Sequence, residues 1–469
     1  MFNLPLLILY GALFLLPVLT GCASFGERSL KIRNDFAGGN LEAAKAEIDK
    51  SLKKNRRKEG DLLKLNQAVI ELSGGNAKKA EQLLQEVRDR FDRNEIETAR
   101  RTSEKAASML LDDNAVAYSG EDYEKVLIRV FLALSNLMLD GSDAHAYALQ
   151  IGQKQNEIIR KRNDSGIVAD NGKPLNLKTE SYRQAAIGAY LAGTLQEETF
   201  RNFDDACKNY EAVCAWEPAF SQGRKDLERA KTGVPCQRGN GVVYVIGLIG
   251  AGPYKVQQNC EVLQAAQFMT TAMLSMMSSK PVIPDFAPVM IPCVVRPPET
   301  VSSLAVSIDG KWNAQSETLT DIGRMAEEQF EAIKPQIIAR AVLRRAVKKA
   351  VIYGVKDGTD SNPWVSLALE LGGIFWESLE TADTRCWNLL PAEIQVSRLE
   401  IPAGEHRLTL QPCSRIYSSA YNRYIVSADS VHTGSEESRM IRVESGCNTY
   451  VLANFPGSKL VGKIVSSRE

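Results

Sequence analysis

Two stretches of this chain repeat one another 36 positions apart. Phe36, Ala37, Gly38, Gly39, Asn40 and Leu41, followed by Ala44 and Ile48, return as Leu72, Ser73, Gly74, Gly75, Asn76 and Ala77, followed by Ala80 and Leu84. In each, an apolar helical pattern runs into paired glycines and an asparagine and then resumes. Glycine supplies the left-handed conformation that closes a helix, and asparagine caps the next one. A segment written this way is restricted to helical hairpins. Apolar residues at spacings of three and four continue through residues 34–230, where proline is scarce. Helices are expected over 122–139 and 144–162, and the Asn-, Gly- and Asp-rich residues 164–178 are expected to form a loop.

From about Gly239 the pattern changes. Residues 241–249 are apolar and β-branched, and 254–257, 289–295 and 301–308 also suit strands. Residues 321–353 return to a helical period. Pro335 should divide that helix, and Ala339, Leu343, Ala346, Val347 and Ala350 form its apolar stripe. A further helix is expected over 362–379, with Pro363 in its first turn. Beyond Asp383 the chain alternates like strands, over 393–401 and 406–410 around a Pro402–Glu405 turn, then over 421–427, 439–444, 450–454 and 460–465. The expected class is α+β. A helical domain over 34–232 precedes a mixed region over 239–382 and a small antiparallel β-sandwich over 383–469, the last two packed as one module.

Lys plus Arg and Asp plus Glu balance at 57 each, so charge suggests neither nucleic acid nor an anionic surface as partner. Gly247, Gly250 and Gly252 follow a strand, but Pro253 and Tyr254 stand where a phosphate-binding helix would open, so a tight turn is the expected use. His145, His406 and His432 fall in no metal or nucleophile pattern, and no HExxH or GxSxG occurs. No enzyme activity, cofactor or metal is expected. Arg340, Arg344, Arg345, Lys348 and Lys349 make one helix face basic. That face is a candidate for binding an acidic or phosphate-bearing partner, or is simply solvated.

Three resemblances add expectations. The apolar run over residues 4–19, ending in Leu19, Thr20, Gly21 and Cys22, resembles a bacterial lipoprotein signal peptide, although Met1, Phe2 and Asn3 carry no basic side chain. It implies removal of residues 1–21, lipidation of Cys22 and a tether over 22–33. Sixteen residues are short for a membrane span of about 20, whereas several acyl chains anchor firmly. Ala23 and Ser24 resemble the outer-membrane sorting pattern. Eight cysteines remain, an even number suited to an oxidising periplasm. Some are expected to pair, though not Cys207 with Cys214, which lie about 10 Å apart along a helix. Secondly, Ala206, Tyr210, Val213 and Pro218 are similar to the second helix and exit turn of a tetratricopeptide repeat, whose period of about 34 is close to the offset above.

The third resemblance covers nearly the whole mature chain. Residues 121–126 (EDYEKV), Gly252-Pro253-Tyr254-Lys255, Ile338-Ala339-Arg340-Ala341 and residues 382–394 (ADTRCWNLLPAEI) are similar to an uncharacterised family of bacterial lipoproteins that joins a tetratricopeptide-like half to a β-rich half. It implies a cell-envelope setting, with envelope proteins, including peptidoglycan-synthesis machinery, as partners, and supplies no catalytic residue. In the ADTRCW stretch, Asp383 and Arg385 can form a bidentate pair while Trp387 and Leu390 anchor the chain. The expected function is a non-enzymatic adaptor binding through its helical repeats. The contrasting class is a peptidoglycan- or carbohydrate-binding module, or an envelope hydrolase, built on the β-rich half.

The anchor is directly testable. Cys22→Ser removes the acceptor thiol, so the variant should keep its leader and gain no acyl mass. Intact-mass measurement and detergent-phase partitioning report this, and unchanged mass and partitioning would refute the lipid anchor.

Overall fold

The computed structural model describes residues 25–100, 117–164, 183–277, 284–356, 382–414, 416–418, 423–425 and 431–468. Cys22, the helix expected over 362–379 and nearly all of the loop expected over 164–178 lie outside these residues. Helices α1 (Phe25–Ala37), α2 (Leu41–Ser73), α3 (Ala77–Arg100), α4 (Asp122–Leu137), α5 (Ala144–Asp164), α6 (Ala186–Leu195), α7 (Phe203–Trp216) and α8 (Ser221–Lys231) come first. Then follow β1 (Asn240–Ala251), β2 (Tyr254–Cys260), α9 (Gln264–Met277), β3 (Val289–Val295), β4 (Ser303–Ile308), β5 (Trp312–Gln315), β6 (Glu317–Asp321) and α10 (Ile322–Lys356). The remainder is strand: β7 (Pro391–Pro402), β8 (Gly404–Ser414), β9 (Ile416–Ser418), β10 (Arg423–Ile425), β11 (Val431–His432), β12 (Glu437–Val443), β13 (Asn448–Phe455) and β14 (Val465–Ser466).

The two repeated turns fold alike. Gly38, Gly39 and Asn40 donate their N–H groups to the carbonyls of Asn34, Phe36 and Asp35, and Gly74, Gly75 and Asn76 donate to Ile70, Leu72 and Glu71. Gly39 and Gly75 stand at φ +81° and +83°, which is why glycine is needed there. Ala44, Ile48, Ala80 and Leu84, also repeated, are fully buried. The helices pack each on the next along the chain. They are less uniform than the repeat alone suggests, since α2 runs 33 residues with a non-helical kink at Asn55.

β1 organises everything else. Its residues 241–250 are buried on both faces, as a continuous Val-, Ile- and Leu-rich run requires. It lies in the sheet β14-β13-β1-β7-β6, parallel to β13 with Tyr244 beside Tyr450, and antiparallel to β7 with Val245 beside Ser397. Val242, Tyr244, Ile246 and Leu248 join the core of the helical layer. Val243, Val245 and Ile249 join a separate core with the second sheet, β11-β8-β4-β5 with β12 also on β8. The order through the molecule is therefore helices, sheet, sheet. At about 1.5–3 kcal/mol for each large apolar side chain buried, neither face of β1 could be left open. A side lobe of β2, β3, α9 and α10 has its own small core around Met269, Ile291, Ile338 and Val342.

Several expectations are corrected. The chain beyond 383 does not form a sandwich by itself, because β1 supplies the central strand and pairs parallel with β13. Pro335 does not divide α10, which continues from Ile322 to Lys356. Phe330 before the proline and Ile338 after it share one core, so packing holds both halves in line. The expected strand over 460–465 shrinks to Val465–Ser466. Residues 25–33 are no free tether but part of α1, with Ile32 buried and Arg28 paired to Glu59 at 2.7 Å. All eight described cysteines are free thiols.

The C-terminal strands and the helical turns lock together closely. Lys463 donates its N–H to the Ser73 carbonyl at 3.0 Å, and Asn454 donates to the Ser73 hydroxyl at 3.0 Å. A Cβ on Gly462, at φ +77°, would stand 2.0 Å from the Ser73 carbonyl oxygen, whereas one on Gly39 would meet nothing within 4 Å. Gly39→Ala should therefore cost only the left-handed backbone term, about 1–2 kcal/mol, and Gly462→Ala distinctly more. Thermal melts compare them, and equal losses would contradict this docking.

Candidate functional site

Three of the four motif segments quoted above meet at one place. α4 opens with a capping box in which Glu121 caps the third residue and the Glu124 carboxylate accepts the Glu121 N–H at 3.0 Å. That same carboxylate, fully buried, also accepts the Trp387 N–H at 2.7 Å and the hydroxyls of Tyr123, at 3.3 Å, and Tyr118. The Glu121 carboxylate takes Lys255 of β2, and the Gln329 amide at 3.0 Å. Gln329, from α10, completes the ring by accepting the Tyr123 N–H at 2.8 Å. Four distant parts of the sequence thus share two carboxylates.

The ADTRCW residues close over this centre. Asp383 and Arg385 form the anticipated bidentate pair, with Nε and one terminal nitrogen at 2.9 and 2.8 Å. Arg385 also donates to the Lys58 carbonyl at 3.0 Å and lies over the Tyr118 ring. Trp387 is 0% exposed and packs on Phe131 with ring centres 5.3 Å apart. Arg33 lies over the Tyr254 ring at 4.2 Å. Asn388 reaches Ser29, and Leu389 donates to the Asn66 side chain at 3.3 Å.

Burial sets the electrostatics. Desolvation, reinforced by Glu121, raises the Glu124 carboxyl above its usual range against the hydrogen bonds it accepts. Burial also pushes the Tyr118 and Tyr123 hydroxyls well up, and the Cys386 thiol up to about 12. For Arg385 and Lys255 burial opposes the charge, but Asp383 and Glu121 respectively outweigh it and raise both groups. A small cavity of about 20 Å³ borders the segment beside Arg33, Gly250, Gly252 and Leu390, room for one water. Gly247 and Gly250 lie within β1 itself, and only Gly252 and Pro253 separate it from β2, with no helix opening there. This arrangement is a clasp, chemically equipped to hold helices, β2 and β7 in register.

The basic helix face is partly committed elsewhere. Arg345 donates to the carbonyls of Ala287 and Pro288 at 2.9 and 2.7 Å, and Arg340 and Arg344 are half-buried. Lys348 and Lys349 lie within α10, with side chains outside the described residues. Ala339, Leu343, Ala346 and Val347 of the apolar stripe are buried. Of the histidines, His406 bridges Asp309 and the Pro402 carbonyl, both at 2.8 Å, while His145 meets Gln196 at 2.9 Å. Among the described residues no cluster of His, Cys, Asp and Glu has the arrangement of a metal site.

Glu121, Glu124 and Lys255 stand in the quoted motif segments without a role assigned to them, and Gln329 was not singled out at all. The three-residue spacing of Glu121 and Glu124 is the signal that could reveal the first two, while Gln329 carries none. No family model, curated protein or solved structure matches the chain.

Two outcomes test the clasp. Trp387→Ala should cost about 3–5 kcal/mol, and Arg385→Ala should also lower the melting temperature, because it strands Asp383 beside a sealed core; a normal melt for either would move the segment from scaffold to surface. The second concerns pH. A carboxyl raised in the folded state stabilises below the unfolded value and loses that contribution as pH rises through the folded one. As pH rises above ~4, the parent should therefore lose stability relative to Glu124→Gln. A melting difference independent of pH would contradict a raised Glu124.

Proposed function

We propose that this chain is an outer-membrane lipoprotein, anchored through Cys22, that acts without catalysis as an adaptor for other envelope proteins, with peptidoglycan-synthesis machinery as the expected partner class. In this reading the helical half is a degenerate tetratricopeptide-like array. The matching turns at Gly39 and Gly75 support that assignment, while the length of α2 departs from a regular repeat.

The carrying observation is a groove of about 800 Å³ at the ends of the helical hairpins. Its walls are the α2–α3 turn, the α4–α5 turn and the C-terminal strands. Lys78, Arg439 and Lys463 line it together with Glu81, Asp140 and Asp143. Mixed-sign rims of this kind steer and orient a protein partner. A tetratricopeptide solenoid ordinarily binds on an extended helical face. Here the helices bury one face against the chain's own sheet, which favours the hairpin ends for a partner. The basic face of α10 is the weaker candidate, since Arg345 is held by backbone carbonyls.

A photo-crosslinking residue placed at Lys78 or Asp143 in intact cells should yield discrete protein adducts, whereas one at Lys208, exposed on α7 and away from the groove, should not. Lys78→Glu combined with Lys463→Glu should lower adduct yield at position 143 without shifting the melt. Adducts at Lys208 alone, or yields indifferent to the charge reversal, would refute the groove.

A further inference from the structure

The equal totals of basic and acidic residues conceal one segregated stretch. Lys53, Lys54, Arg56, Arg57 and Lys58 follow one another in α2 with only Asn55 among them, and all five are exposed. Other lysines on the same helix are paired: Lys45 with Glu71 at 2.7 Å, Lys50 with Glu47 at 3.7 Å, and Lys64 with Glu86. None of the five has such a partner among the described residues. Glu59, next in sequence, is buried and committed to Arg28 at 2.7 Å, while Asp49 is exposed a turn before the run.

Five like charges within six positions repel one another, and salt relieves this only in part. α2 leaves helical geometry inside the run, at Asn55 (φ −122°, ψ 22°). Beyond the break the backbone is fixed again, because the Lys58 carbonyl accepts the Tyr118 N–H and an Arg385 N–H, both at 3.0 Å. The basic side chains therefore stand on an anchored backbone, and what they lack is a counter-charge from outside the chain.

Location selects that counter-charge. Arg28, bonded to Glu59 beside the run, lies in the first turn of α1, which begins at Phe25. The chain from Cys22 to Phe25 spans about 10 Å at full extension, and the helix from Phe25 to Arg28 adds about 5 Å. A lipid anchor at Cys22 thus keeps the run close enough to the bilayer for attraction between basic side chains and anionic lipid, which acts over about a Debye length.

We propose that residues 53–58 form a second membrane contact, binding the anionic phospholipid headgroups of the leaflet that carries the anchor and so fixing which face the chain turns to the bilayer. The choice of partner rests on the lipid anchor proposed above. Several acyl chains hold without help, so the contact supplies orientation more than affinity. A single-stranded nucleic acid would be favoured by aromatic side chains interleaved with the charges, and residues 50–60 contain none.

The test uses residues 22–469 without acyl groups, since an acyl chain or the apolar leader would bind lipid unaided; no described residue is removed. Co-sedimentation is measured with vesicles of phosphatidylcholine, with and without phosphatidylglycerol, at low and high salt. The protein should sediment with the mixed vesicles, not with phosphatidylcholine alone, and salt should release it. Lys53→Glu combined with Arg57→Glu should weaken binding roughly tenfold or more with an unchanged melt, because both side chains are exposed. The control pair Arg224→Glu and Lys225→Glu, exposed on α8, should not. No binding, equal binding to both vesicle types, an equal loss in the control, or tighter binding of a DNA duplex than of mixed vesicles would overturn the proposal. The acyl mass at Cys22 decides the anchor separately: vesicle binding without that mass leaves the basic contact standing and refutes the anchor, and the mass without vesicle binding does the reverse.

Discussion

The burial of β1 on both faces is the constraint from which the rest of the structure follows. A strand whose ten central residues all avoid water needs a layer on each side. The helices cover Val242, Tyr244, Ile246 and Leu248, and the second sheet covers Val243, Val245 and Ile249. Because the chain arrives at β1 only after α8, the helical half meets a prepared apolar surface once the sheet exists. The sheet is not complete until β13 pairs beside β1, some two hundred residues later. Both ends of the sequence are therefore needed to close one core.

The clasp around Glu124 is how that closure is made specific. Apolar packing sets no unique register, whereas a buried carboxylate accepting four hydrogen bonds from Tyr118, Glu121, Tyr123 and Trp387 does. This gives the ADTRCW motif a physical role: Arg385 ties the segment leading into β7 to α2, and Trp387 ties it to α4.

Local elements were largely legible in the sequence, and their assembly was not. The apolar run over 241–249 reads directly as a buried strand, and the Gly-Gly-Asn repeat reads as helical turns that the structure reproduces bond for bond. The parallel register of β1 with β13 leaves no local trace, so an antiparallel sandwich was the natural expectation. β5 and β6 escape because they are short, polar edge elements, and α9 because its Met- and Thr-rich residues carry little periodic contrast. Pro335 misleads because packing of Phe330 and Ile338 outweighs the local penalty. In the clasp, the spacing of Glu121 and Glu124 was readable, but Gln329 joins them only through the fold.

The most direct test of a single shared core is equilibrium unfolding in urea followed by hydrogen exchange, read separately for α4, β1 and β13. If the helices and the central sheet are one cooperative unit, amides in all three should lose protection at the same midpoint. Helical amides that stay protected through the transition exposing β1 would show two independent domains and contradict the account.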